Sequence, residues 1–113
     1  MAKILYKKSY QLKSLKPKEY DDLWGKKGIF TTIRVLGEKP KFILLNEHIN
    51  NMNYSLNQLN IKYKISKKTI LALLEPILGK IRNKDNLLRI AINSKCISLS
   101  LRPRLKPYRK FME

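Results

Sequence analysis

Two arginines sit where charge is least expected. Arg34 interrupts the apolar, β-branched stretch Ile29-Phe30-Thr31-Thr32-Ile33-Arg34-Val35-Leu36, and Arg89 does the same in Leu87-Leu88-Arg89-Ile90-Ala91-Ile92. A guanidinium on a covered strand must find a carboxylate or phosphate or face a cleft. On an open face of an antiparallel sheet it needs neither. The residues alone leave both placements open. Other chemistry is sparse. His48 is the single histidine, which excludes a histidine-rich metal cluster, and its place beside Glu47 at a helix start favours a structural or capping role over that of a general base. Asp21 and Asp22 are adjacent, and loop Asx-turns suit them better than an acid/base pair. Gly25-Lys26-Lys27-Gly28 lacks the spacing and the Lys-Ser/Thr end of a phosphate-binding loop. Cys96 is the only cysteine; it cannot form an internal disulfide and reads as an inert, partly buried thiol.

The elements that must carry these residues follow from periodicity. Ile29 to Leu36 reads as a strand, with Phe30, Thr32, Arg34 and Leu36 on one face and Ile29, Thr31, Ile33 and Val35 on the other, core face. Gly37-Glu38-Lys39-Pro40 supplies a turn and Lys41 to Leu45 the return strand of a hairpin. Asn46 is a good N-cap for an amphipathic helix from Glu47 to Asn60, whose apolar stripe is Ile49, Met52, Leu56 and Leu59. Ser66 caps a second, more apolar helix from Lys67 to Asn83, in which Pro76 predicts a kink. Leu87 to Asn93 and Cys96 to Arg102 are two further strands. The order β-β-α-α-β-β is an α+β arrangement, a mostly antiparallel sheet with two helices packed on one face. Residues 1–27 are polar and poorly periodic and read as an arm; residues 28–102 form the domain; residues 103–113, with Pro103 and Pro107, read as a basic tail or linker.

The chain has 113 residues, 43% of them hydrophobic, enough for one domain with a core. It carries a formal charge of +17, from 25 Lys and Arg against 8 Asp and Glu. Such an excess raises the prospect of a small basic nucleic-acid-binding module, gaining affinity by counterion release. The cations are mostly lysine, however, and spread from Lys3 to Lys110 without a long run, which fits a solvated surface better than a phosphate-reading face rich in arginine. The longest apolar run, Thr69 to Gly79, is too short to span a membrane. The N-terminus has no apolar signal core. A cytoplasmic protein with no membrane association is the expectation.

The segments Gly28 to Val35, Phe42-Ile43-Leu44-Leu45-Asn46-Glu47-His48-Ile49 and Ser55 to Ile61, in this order, together resemble the small, N-terminal domain of class IV aminotransferases. That family includes the branched-chain and D-amino acid aminotransferases and aminodeoxychorismate lyase, and uses pyridoxal phosphate. Its pattern runs Gly-x-Phe-Glu-Thr-x-Arg on a strand, a short turn, then Glu-His-x-x-Arg-Leu opening a helix. Leu88 to Ile92 is similar to the family strand bearing a further substrate-facing arginine. The resemblance covers most of residues 23–103. It implies that Phe30, Arg34 and Arg89 line the substrate side, the arginines binding a carboxylate of an amino acid or of aminodeoxychorismate. A third reading is an interaction protein that forms a homo-oligomer or pairs with a full-length relative through the same sheet. Three positions depart from the pattern. The motif glutamate is Thr31, the arginine that holds the cofactor phosphate is Asn51, and the Schiff-base lysine belongs to a second domain with no counterpart in this sequence. The chain is therefore expected to be truncated and not catalytic alone.

Overall fold

Alternation along the strands decides which side of the sheet becomes the core. In the computed structural model, which describes residues 6–37, 41–78 and 85–104, Ile33 and Val35 are fully buried while Phe30 and Arg34 on the opposite face are exposed. The elements in chain order are β1 (Tyr6–Gln11), β2 (Pro17–Lys18), β3 (Ile29–Leu36), β4 (Lys41–Phe42), α1 (Leu45–Gln58), α2 (Lys67–Leu78), β5 (Asp85–Ile92) and β6 (Cys96–Pro103). All pairings are antiparallel, in one open sheet of order β2-β1-β6-β5-β3-β4. Ile33, Val35, Leu88, Ile90, Ile92, Ile97, Leu99 and Leu101 form the sheet side of the core. Ile49, Met52 and Leu56 of α1 and Ile70, Leu73 and Leu74 of α2 cover it. The expected α+β class, with two helices on an antiparallel sheet, is what the chain adopts.

The segment read as an arm contributes two strands. β1 pairs with β6 from Tyr6↔Leu101 to Gln11↔Cys96 and lies inside the sheet. Its sequence, Tyr-Lys-Lys-Ser-Tyr-Gln, sets two strand-favouring tyrosines among four polar residues with no β-branched side chain, so its strand signal is weak. Tyr10 nevertheless packs in the helix-side core, and the Tyr6 hydroxyl donates to the Leu73 carbonyl of α2 at 3.3 Å. Burial, reinforced by the Tyr10 hydroxyl, pushes the Tyr6 phenol above its ordinary value. On the other face Ser9 is completely buried.

The start of α1 also differs from expectation. Asn46 is not the N-cap: the helix begins at Leu45, and Leu44 before it is left-handed at φ 54° with no side-chain cap. The Ile43 N–H still donates to the Arg34 carbonyl at 2.9 Å, so the chain stays tied to β3 until residue 43 and must reverse into the helix at the next residue. The return strand is accordingly two residues long rather than five. Ser66 does cap α2, accepting from the Thr69 N–H at 3.2 Å. Between the helices, Asn53 grips the backbone of buried Ile65 from both sides, donating to its carbonyl at 2.9 Å and accepting from its N–H at 2.8 Å. The last residues expected in α2, 79–83, most of the hairpin turn, and residues 105–113 of the tail lie outside the described residues. Pro103 ends β6, and Arg104 donates its backbone N–H to the Asp85 carbonyl at 2.9 Å. Among the described residues no helix is long and apolar enough to cross a membrane.

Candidate functional site

The face of the sheet away from the helices carries Phe30, Thr32 and Arg34 on β3, and Asp85, Leu87, Arg89 and Ala91 on β5. The register sets Phe30 opposite Ala91, Thr32 opposite Arg89 and Arg34 opposite Leu87. A loop formed by residues 19–27 crosses part of this face. Two sheet serines, themselves hydrogen-bonded to each other, pin it at Asp21. The Asp21 N–H donates to Ser9 Oγ at 2.9 Å, the Ser98 hydroxyl donates to the Asp21 carbonyl, and Ser9 and Ser98 meet at 2.6 Å. These buried serines have their polar atoms satisfied by the loop, which is why small polar side chains suit the middle of a sheet here. Leu23, with positive φ (61°), is buried against Ala91 and Cys96. Asp21 accepts from the Leu23 N–H and Asp22 from the Trp24 N–H, at 2.9 and 2.8 Å: two successive Asx-turns, as the adjacent aspartates suggest. An ion pair from Lys26 to Asp21 closes the loop; the Lys26 hydrogen bond holds the Asp21 carboxyl below its ordinary value.

The loop presents Trp24, 75% exposed, beside Arg89. The Arg89 guanidinium lies 5.9 Å from the Trp24 ring and 5.4 Å from the Phe30 ring, and its Nη1 donates to the Asp22 carbonyl at 2.7 Å. Among the described residues no carboxylate pairs with it. These three side chains, with Leu23 and Ala91, border a cleft of about 360 Å³. Gly28 belongs to the same wall: a Cβ there would stand 2.5 Å from the Ile92 carbonyl oxygen, so the chain can cross β5 this closely only without a side chain. A guanidinium beside two aromatic rings and an apolar floor has the chemistry to take a small anion with an apolar body.

Of the residues singled out from sequence, the structure brings Phe30 and Arg89 together and leaves Arg34 apart. Arg34 shares the face but leans to the other side of Leu87, where its Nε and Nη2 donate to the two carboxylate oxygens of Asp85 at 3.2 and 2.9 Å. Asn51 is exposed on α1, in the helix layer on the opposite side of the sheet. His48 Nδ1 meets the Thr31 hydroxyl at 2.7 Å, tying α1 to β3. Cys96 is buried beneath the loop with its thiol free. Trp24 belongs to no motif in the sequence. A lone tryptophan beside a glycine is visible in the sequence, but its position over Arg89 depends on the two Asx-turns. Among the described residues no group of acidic, histidine or cysteine side chains could hold a metal ion.

No protein family, no curated protein and no solved structure matches this chain.

Proposed function

We propose that the chain is a class IV aminotransferase-like small domain whose open sheet face binds the carboxylate end of an amino-acid substrate, working with a partner unit that supplies the reactive lysine. The observation that carries this reading is Arg89: a guanidinium without a carboxylate partner among the described residues, flanked by Phe30 and Trp24 at a cleft. Arg89 would take the carboxylate and Phe30 and Trp24 would pack on the substrate body. The residues present do not fit pyridoxal phosphate by themselves. Asn51, in the position of the family's phosphate-binding arginine, is neutral and exposed, and Lys26, the lysine bordering the cleft, is held above its ordinary value by Asp21 rather than poised as a neutral amine. Cofactor holding therefore falls to the partner unit, a second domain or a full-length relative, and the isolated chain is not catalytic.

Titrating the chain with isocaproate tests the carboxylate site, because Trp24 is the sole tryptophan and its emission reports the cleft directly. A saturable change that disappears in Arg89→Met is expected; an unchanged titration in that variant would refute the site. Incubation with pyridoxal phosphate should leave no one-to-one imine absorbance after gel filtration, and a retained band would overturn the assignment of the cofactor to a partner.

One observation favours a second reading, a basic nucleic-acid-binding module. Two exposed rings flanking a guanidinium on an open sheet also form a surface on which unpaired bases stack. Binding of an oligonucleotide that falls steeply with salt and is lost in Trp24→Ala would select it.

A further inference from the structure

The open face carries two guanidinium groups in opposite electrostatic situations. Arg89 has no carboxylate partner among the described residues, whereas Arg34 is held bidentately by Asp85, which also accepts from Arg104 Nη1 at 3.3 Å. Asp85 is the less exposed partner, at 16% against 46% for Arg34, so the ion pair is anchored from the carboxylate side. The register makes Arg34 and Arg89 diagonal neighbours across β3 and β5, roughly 7–8 Å apart at the backbone. That spacing would let the two arginines grip both ends of a short dicarboxylate if both were open. Asp85 already balances the charge of Arg34 and takes its Nε–Nη2 edge, and Arg34 does not border the cleft. The cleft floor beside Arg89 is apolar, from Leu23 and Ala91, and would strip water from a second carboxylate without replacing it.

We infer that Asp85 is a specificity-determining residue: by occupying Arg34 it acts as a built-in carboxylate, leaving one guanidinium for ligand and selecting monocarboxylates with an apolar body over dicarboxylates. The inference rests on the carboxylate-binding reading of the cleft. A dicarboxylate reaching Arg34 would have either to displace Asp85 from the Nε–Nη2 edge, losing both bonds of that bidentate pair, or to take the Nη1 edge of a guanidinium whose charge Asp85 already balances.

The test is a nuclear magnetic resonance titration of the full chain with isocaproate and with glutarate, following the Arg34 and Arg89 Nε–H and the Trp24 indole N–H signals. Isocaproate should shift Arg89 and Trp24, leave Arg34 in place and bind more tightly than glutarate. In Asp85→Asn, Arg34 should begin to respond to glutarate, with a gain of about fivefold in glutarate affinity, the equivalent of one exposed ion pair. Tighter binding of glutarate to the unmodified chain, with both arginines shifting, would overturn the role of Asp85 while leaving the cleft intact. An unchanged ligand preference in a folded Asp85→Asn variant would overturn it as well. If neither probe shifts Arg89 or Trp24, the cleft reading fails and the inference falls with it. Should Asp85→Asn not fold, the comparison of the two ligands on the unmodified chain still decides.

Discussion

Replacing Arg89 by methionine removes the guanidinium and keeps an unbranched stem, so it isolates the interactions that hold the loop over the cleft. The guanidinium donates one charged hydrogen bond to the Asp22 carbonyl and lies against two rings. In a partly exposed setting the hydrogen bond contributes about 1.5 kcal/mol and each ring contact about 0.5 kcal/mol. Methionine recovers about 0.5 kcal/mol through sulfur contacts with the same rings. The net destabilisation is then about 2 kcal/mol, which for a domain near 100 residues lowers Tm by about 10 °C. Leu23 and the serine-pinned Asp21 backbone remain, so the loop should loosen around Trp24 before it detaches. Urea unfolding measures the first effect, and the fluorescence anisotropy of the single tryptophan, which should fall, measures the second. Arg89→Lys, with its charge but without the planar fork, should recover less than half of the loss. If Arg89→Met unfolds within about 0.5 kcal/mol of the parent and Trp24 anisotropy is unchanged, Arg89 does not organise this loop and the cleft is not preformed.

Gly28→Ala should cost about 2–3 kcal/mol, because its Cβ would meet the Ile92 carbonyl oxygen at 2.5 Å and only backbone movement relieves the clash; an unshifted urea midpoint would contradict the close approach. Asn53→Ala should cost about 2–3 kcal/mol by orphaning both backbone groups of Ile65, and the Ile65 amide should exchange with solvent markedly faster. Acid should erode stability through Asp85, whose carboxyl lies below its ordinary value chiefly through the Arg34 hydrogen bond. Its folded-state value is depressed, so the stabilisation is present above about pH 4 and is lost as pH falls through the folded value. Asp85→Asn should flatten that part of the acid limb, and an unaltered limb would show that the pair does not contribute.

Strand and helix identity from Ile29 onward was legible because local pattern and burial agree there. The alternation of β3 separates Ile33 and Val35 from Phe30 and Arg34, and the three-and-four spacing of Ile49, Met52 and Leu56 marks the buried stripe of α1. β1 was hidden because what stabilises it is a ladder to β6, some ninety residues away, and no apolar run of its own. The helix start was misplaced by propensity: Asn46 has the right side chain for a cap, but the hydrogen bond from Ile43 to Arg34 sets the point of reversal.

The candidate site residues divide along the same line. Residue types and strand parity alone determine that Phe30 and Arg34 share a face and that Arg89 is a charge within an apolar strand. Only the tertiary structure decides which arginine is paired with a carboxylate, because that depends on contacts between segments distant in sequence. Asp85 reaches Arg34 across the β3–β5 pairing, whereas the loop after β2 brings Trp24, and no acidic side chain, to Arg89. Two arginines that are equivalent as letters thus become one structural ion pair and one candidate ligand site, since a guanidinium's chemistry is set by the nearest carboxylate and not by the strand that carries it.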